Sequence, residues 1–297
     1  MDYPTITDRP VSDFDMTFQW FDKDWVRLFD AQIEHVRADV ERARAADKLI
    51  VYLSCPISSR GGGHSGTNVD IALATQRHLL DRWGEEAWIL NPANYQMESR
   101  AGTGLMNQHA ERLKIDLEKL LKDTGKPPQG GDYMRMWTKV LVENGNVVGR
   151  RKVQDDLKNS GQYFDAYYFL GPRDVHRFFV KGQESLTAGI ESYFARRMES
   201  DPEFRLRYSS ALASPGGSPD WDAWELQRQE FLRFYLFRAS ANYSLGCHDE
   251  WNIWLMLNSR RRGAKSGGIG EQIAGYFEGR QLSPGAFESP TSAGYAL

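Results

Sequence analysis

Three short apolar runs constrain this chain most: Lys48 to Leu53, Ala87 to Leu90 and Gln162 to Leu170, each soon followed by proline or glycine. None alternates apolar with polar residues. A strand of that kind must bury both faces, as strands do inside a parallel sheet. The stretches between them are spaced as helices. Ile33, Val36, Val40 and Ala43 mark one within 29–46, and Ile71, Ala74 and Leu79 mark a second from Val69 to Trp83 with Asn68 as its cap. Residues 105–122 predict a charged amphipathic helix, closed by the loop Gly125 to Gly131. Tyr133 to Val142 predicts another, and a further helix begins near Thr187. Helices alternating with doubly buried strands predict a parallel sheet covered on both faces. Ligands of such sheets bind at the carboxyl ends of the strands. Ser54 to Gly63, Asn91 to Tyr95 and Gly171 to Gly189 all fall at that edge.

The 297 residues allow one large domain or two modest ones, and 41% apolar residues suffice for a substantial core. A net charge of −3 gives no reason to expect a nucleic-acid polymer as partner. Cys55 and Cys247 are too far apart in sequence for a metal motif, which suggests a reducing compartment. No apolar run approaches the ~20 residues that cross a bilayer. The stretch Met1 to Asp8 lacks the basic and apolar regions of a signal peptide. A soluble, cytoplasmic protein without cofactor is expected.

The expected fold class is α/β: a Rossmann-like (flavodoxin-like) parallel sheet with helices on both faces, plus a helical C-terminal extension. Residues 1–28 read as an arm, 29–213 as the α/β domain, 220–280 as the extension and 281–297 as a tail. Ser214 to Pro219 is the linker. Helices are expected at about 221–243, 248–262 and 269–278.

Two segments carry the candidate chemistry. Val51-Tyr-Leu-Ser-Cys-Pro-Ile57, followed by Ser58-Ser-Arg-Gly-Gly-Gly63, is a strand opening into a glycine loop. Glycines let backbone N–H groups approach an anion, and Arg60 has the geometry for phosphate. Ser185-Leu-Thr-Ala-Gly-Ile-Glu191 puts a carboxylate on the first turn of a helix whose buried face is Ile190, Tyr193, Phe194 and Met198. There an anionic ligand and a nucleophile can lie side by side. Cys247-His248-Asp249-Glu250 reads as a helix cap through His248 or Asp249, because four adjacent helical residues point in different directions. The aromatic face running from Trp224 through Phe231 and Phe234 to Trp251 and Trp254 reads as core or as a subunit interface.

Val51 to Ile57 with Arg60-Gly-Gly, Phe164-Asp-Ala-Tyr-Tyr-Phe-Leu-Gly-Pro172, and Ser185-Leu-x-x-Gly-x-Glu191 together resemble the nucleoside 2-deoxyribosyltransferase superfamily. They look closest to its nucleoside 5′-monophosphate N-glycosidase branch. The resemblance covers roughly residues 48 to 197. Cys55 stands where that family usually has glycine, Ser58-Ser59 are extra, and about ten residues including Val175 to Val180 are inserted before the glutamate helix. The resemblance implies an N-glycosidase that hydrolyses the base–ribosyl bond of a nucleotide or nucleoside. Glu191 would be the nucleophile or oxocarbenium stabiliser, Asp165 would assist at the base, and Tyr52 would position Glu191. Ser54, Cys55, Pro56, Ile57, Arg60, Gly61, Gly62, Ser185 and Gly189 would hold the substrate. Homo-oligomers are usual in that family. Base exchange, a catalytically silent nucleotide-binding module and a nicotinamide-dinucleotide glycohydrolase are the alternatives.

Overall fold

The structure, a computed structural model, describes residues 17–19, 23–59, 63–97, 100–128, 130–142, 152–154, 161, 164–209, 220–263 and 272–282. The elements run β1 (Thr17–Gln19), α1 (Lys23–Ala45), β2 (Leu49–Ser54), α2 (Ser65–Trp83), β3 (Ala87–Leu90), α3 (Arg100–Leu113), α4 (Leu117–Thr124) and α5 (Gly130–Val142). Then follow β4 (Lys152–Gln154), β5 (Ala166–Phe169), α6 (Pro172–Val180), α7 (Leu186–Ser200), α8 (Pro202–Tyr208), α9 (Trp221–Phe237), α10 (Leu245–Gly263), β6 (Ala274–Phe277) and β7 (Arg280–Leu282).

Five strands form one sheet in the order β3-β2-β5-β6-β7. The first four are parallel, and β7 closes the edge antiparallel to β6. β1 and β4 form a separate antiparallel pair. Side chains alternate across a strand, so each strand feeds two cores. Ile50 and Tyr52 of β2 and Tyr167 and Phe169 of β5 join side chains of α1, α5 and α10. Val51, Leu53 and Cys55, with Ala166, Tyr168 and Leu170, join those of α2, α6, α7, α8 and α9. The protein is therefore α/β, with a mostly parallel sheet between two helical layers. Among the described residues no helix is long and apolar enough to cross a membrane.

Several local expectations change. α2 starts at Ser65, because the His64 ring caps it by accepting from the Thr67 N–H at 3.1 Å. Asn68 instead lies inside the helix and is buried. Its amide donates to the Ser58 carbonyl at 2.9 Å and pins the loop after β2. The helix expected over 105–122 is two helices, parted where Lys114 takes φ +56° and Asp116 caps α4. Trp25 and Leu28, assigned to an arm, are buried residues of α1. Residues read as an insertion at 175–180 belong to α6. α9 ends at Phe237 rather than at about 243.

The largest change lies at 269–278, where a helix was expected. Ala274–Phe277 is a strand parallel to β5, and Glu278 and Gly279, at φ +45° and +82°, turn it into β7. Two consecutive positive φ values make the tight turn that suits a two-residue hairpin. Gly275 is required in β6, since a Cβ there would lie 2.3 Å from the Trp254 ring. β6 thus lies in the region expected to be a helical extension, and β7 runs from its last residue into the expected tail. The linker at 214–219 lies outside the described residues, as does the expected tail, 281–297, beyond Leu282.

Candidate functional site

β2 ends at Ser54, and the chain leaves the sheet through Cys55 to Ser59. β3 ends at Leu90, and Asn91 caps the turn Pro92–Tyr95. Both exits open into one cleft of about 360 Å3. Clefts of roughly 300–1,000 Å3 are the usual size for small ligands. β2 and its exit loop contribute Cys55, Ile57, Ser58 and Ser59 to the walls. The first turns of α2, α5 and α10 contribute Ser65, Gly130, Tyr133 and Cys247, and Glu250 lies deeper along α10. Helix N-termini direct partial positive charge and free N–H groups toward such a space.

Glu250 is the chemical centre of this cleft. It is buried, with the Tyr52 hydroxyl donating to Oε1 at 2.7 Å and the Ser54 hydroxyl donating to Oε2 at 2.5 Å. Both donors are fully buried residues of β2. They share one face of the strand, at alternate positions, so β2 presents both to α10. Burial pushes the Glu250 carboxyl up to about 8, against the two hydroxyls that favour its ionised form. Burial likewise raises the Tyr52 hydroxyl well above its ordinary value, so Tyr52 remains a donor at neutral pH. Cys55 and Cys247 flank the carboxyl, and burial raises both thiols. They are poor nucleophiles there, since reactivity needs the thiolate. Among the described residues no group of three or more His, Cys, Asp or Glu side chains is placed to hold a metal ion.

The structure brings together Tyr52, Ser54, Cys55 and Ile57 of the sequence candidates. Pro56 is buried and lines a neighbouring small pocket with Phe234 and Leu245. Arg60, Gly61 and Gly62 lie outside the described residues. Asp165 sits at the opposite edge of the sheet. It precedes β5, and its carboxylate accepts the Ile50 N–H at 2.7 Å, near the start of β2. Four residues of strand, roughly 13 Å, separate that level from Ser54. Glu191 is an exposed residue of α7, and its Oε1 stands 3.3 Å from the Arg228 guanidinium of α9. It does not line the cleft. Ser185 caps α7 by accepting from the Ala188 N–H at 3.1 Å. Gly189 serves packing, since a Cβ there would lie 2.2 Å from the Phe179 carbonyl oxygen of α6.

Glu250 is the residue that sequence reasoning missed. His248 and Asp249 were read as the cap, whereas the Ser244 hydroxyl accepts from the Cys247 N–H at 3.4 Å. A signal existed. Cys247, Glu250, Trp254 and Leu257 recur at i, i+3, i+7 and i+10, which puts a carboxylate inside an apolar helix face. Carboxylates are seldom fully buried without partners, so such a position is informative.

No known family, curated protein or solved structure matches the chain.

Proposed function

We propose that this protein breaks the bond between base and ribosyl group in a nucleotide or nucleoside, with Glu250 as its working carboxylate. The observation that carries the reading is the buried Glu250 carboxyl, held at both oxygens by Tyr52 and Ser54 in the wall of a ligand-sized cleft. A structural carboxylate would be easier to replace with an apolar side chain than to bury.

The sheet order supports the finer fold reading. Without the separate pair β1 and β4, the order β3-β2-β5-β6-β7 takes the strands second, first, third, fourth, fifth. That order matches the flavodoxin-like one, a relative of the Rossmann arrangement, with the difference that β7 runs antiparallel to β6. Ligands of that arrangement bind where the order reverses, between β2 and β5; the cleft lies beside that point, where β2 and β3 end, and β2 bears Tyr52 and Ser54.

As the C1′–N bond breaks, the base leaves with the bonding electron pair and positive charge develops at C1′ and the ring oxygen. A carboxylate beside that centre stabilises the charge or bonds to C1′. Ionised Glu250 has this role. The hydroxyls of Tyr52 and Ser54 fix its orientation and favour its charge. In hydrolysis the oxygen of a water bonds to C1′, displacing Glu250 where it has bonded there, and the water's proton ends on the released base. A second base that bonds to C1′ in place of water, giving up its proton to the first, gives base exchange. Tyr52 keeps the positioning role that the family resemblance implies, directed at Glu250 rather than at Glu191.

The test incubates the protein with nucleoside monophosphates, nucleosides and a nicotinamide dinucleotide, and measures free base by chromatography. Base release by the wild-type protein is expected, with a loss of at least roughly 100-fold in Glu250→Gln. Glu191→Gln should retain activity. No release from any substrate, or a folded Glu250→Gln variant with wild-type rates, would refute the reading.

A further inference from the structure

A second ligand space lies on the opposite helical layer, between α2 and α6. It is a groove of about 970 Å3. Arg77 and His78 of α2 face Arg173, His176, Arg177 and Lys181 across it. Four cationic side chains stand against two carboxylates, Asp81 and Asp174. Asp174 is already engaged, accepting from the Tyr168 hydroxyl, the Gly171 N–H and the Arg177 guanidinium. Arg77, Arg173 and Lys181 are exposed, and among the described residues none of their side-chain charges is paired with a carboxylate. Unpaired like charges held together repel one another, and an anion relieves that repulsion.

A smaller space of about 460 Å3 adjoins the groove, between α6 and the end of α9, and Arg173 and His176 of α6 are walls of both. The walls of the smaller space are mainly apolar, with Val175, Leu186, Tyr235, Leu236 and Phe237. Ser240 also lines it, and its hydroxyl is buried without a hydrogen-bond partner. A buried, unpartnered hydroxyl between aromatic and aliphatic walls suits a ring-sized body carrying a polar atom.

We infer that these adjoining spaces form one site for an anionic amphiphile, its phosphates on Arg77, Arg173 and Lys181 and its ring-sized body against Tyr235, Phe237 and Ser240. The chemical class is a nucleoside polyphosphate or a compound built like one. The site is separate from the Glu250 cleft. Ser65 of α2 lines the cleft and Ala74 to Asp81 line the groove, which places them roughly 14–24 Å apart along the helix. Occupancy would bear on α2, whose first turn forms a wall of the cleft.

The probes are adenosine triphosphate and inorganic tripolyphosphate, titrated calorimetrically into the full chain. The variant combines Arg77→Ala, Arg173→Ala and Lys181→Ala, all exposed positions, and its fold is checked by circular dichroism. Wild-type protein should bind both probes, the nucleotide more tightly. The triple variant should bind each at least about tenfold more weakly, because each guanidinium or ammonium lost removes a charge-assisted contact. Its base release, if measured, should match the wild type. Failure of both probes to bind at millimolar concentration, or unchanged binding by the folded triple variant, would overturn the site. Equal affinity for the two probes would overturn the role of the apolar space.

Discussion

The Tyr52 hydroxyl stands 2.7 Å from Oε1 of Glu250, joining residues 198 positions apart in the chain. One belongs to a strand inside the sheet, the other to α10, the last helix among the described residues. Every consequence for the cleft follows from this contact. Tyr52 cannot serve as a base, since burial and the neighbouring carboxylate keep its proton in place. It acts on Glu250, whose ionised form it favours.

That gives the first expectation, which concerns pH. With ionised Glu250 as the working form, kcat/KM should rise with pH and level off above about 8. Tyr52→Phe removes a donor that lowers the Glu250 value, so the rising limb should move to higher pH. A variant that merely loosened the fold would lose rate at every pH without moving the limb. Rate profiles from pH 5 to 10 for both proteins decide the matter, and an unmoved limb would remove Tyr52 from the site.

The same burial makes stability depend on pH. The Glu250 carboxyl titrates near 8 when folded and near its ordinary value of 4.5 when unfolded. Between those values the native state holds a proton that the unfolded state has released. Stability therefore falls as pH rises through that window, by at most about 1.4 kcal/mol per pH unit. Below the window both states are protonated, and above it both are ionised. Glu250→Gln removes the group and should remove that slope. Urea unfolding at pH 5, 6, 7, 8 and 9 should show the variant gaining on the wild type with rising pH, with no further gain above about 8.

The fold was legible where a strand is buried on both faces. The runs at Lys48 to Leu53 and Ala87 to Leu90 are β2 and β3, give or take one residue. Because the end of β2 was legible, so was the placement of Tyr52, Ser54, Cys55 and Ile57 near one edge. β6 was not. Ala274-Gly-Tyr-Phe277 is four residues long and contains glycine, which disfavours a strand by itself. Only the Trp254 ring against Gly275 explains why glycine belongs there. Asp165 was a candidate through the family resemblance alone, not through its place on the strand. With β5 starting at Ala166, the parallel direction puts Asp165 at the amino edge, away from Ser54. Glu250 was hidden because its meaning depends on two hydroxyls almost two hundred residues away.

Gly189 offers a separate check on a residue first read as part of a binding site. Its missing side chain lets α7 approach α6, and a Cβ would lie 2.2 Å from a backbone oxygen. Backbone yields less readily than a side chain, so Gly189→Ala should destabilise the fold by about 1–3 kcal/mol. The effect should appear in the urea midpoint. Base release per folded molecule should stay unchanged, whereas a binding role would show as a raised KM at unaltered stability.

The last expectation concerns how the C-terminal strands are held. The Asn258 side chain of α10 donates to the Ile273 carbonyl at 3.1 Å and accepts the Ile273 N–H at 2.7 Å. Both residues are buried. The Trp254 indole N–H also donates to the Ile273 carbonyl, at 2.9 Å. Asn258→Ala would leave the carbonyl one donor and the N–H none. A buried donor without a partner costs about 1–3 kcal/mol. Because Ile273 immediately precedes β6, the loss should be local first. Amide hydrogen exchange should quicken at 273–282 before it changes in β2 or β3, and the urea midpoint should fall. Exchange that quickens uniformly across the sheet would mean that β6 and β7 are held by the sheet as a whole and not by this side chain.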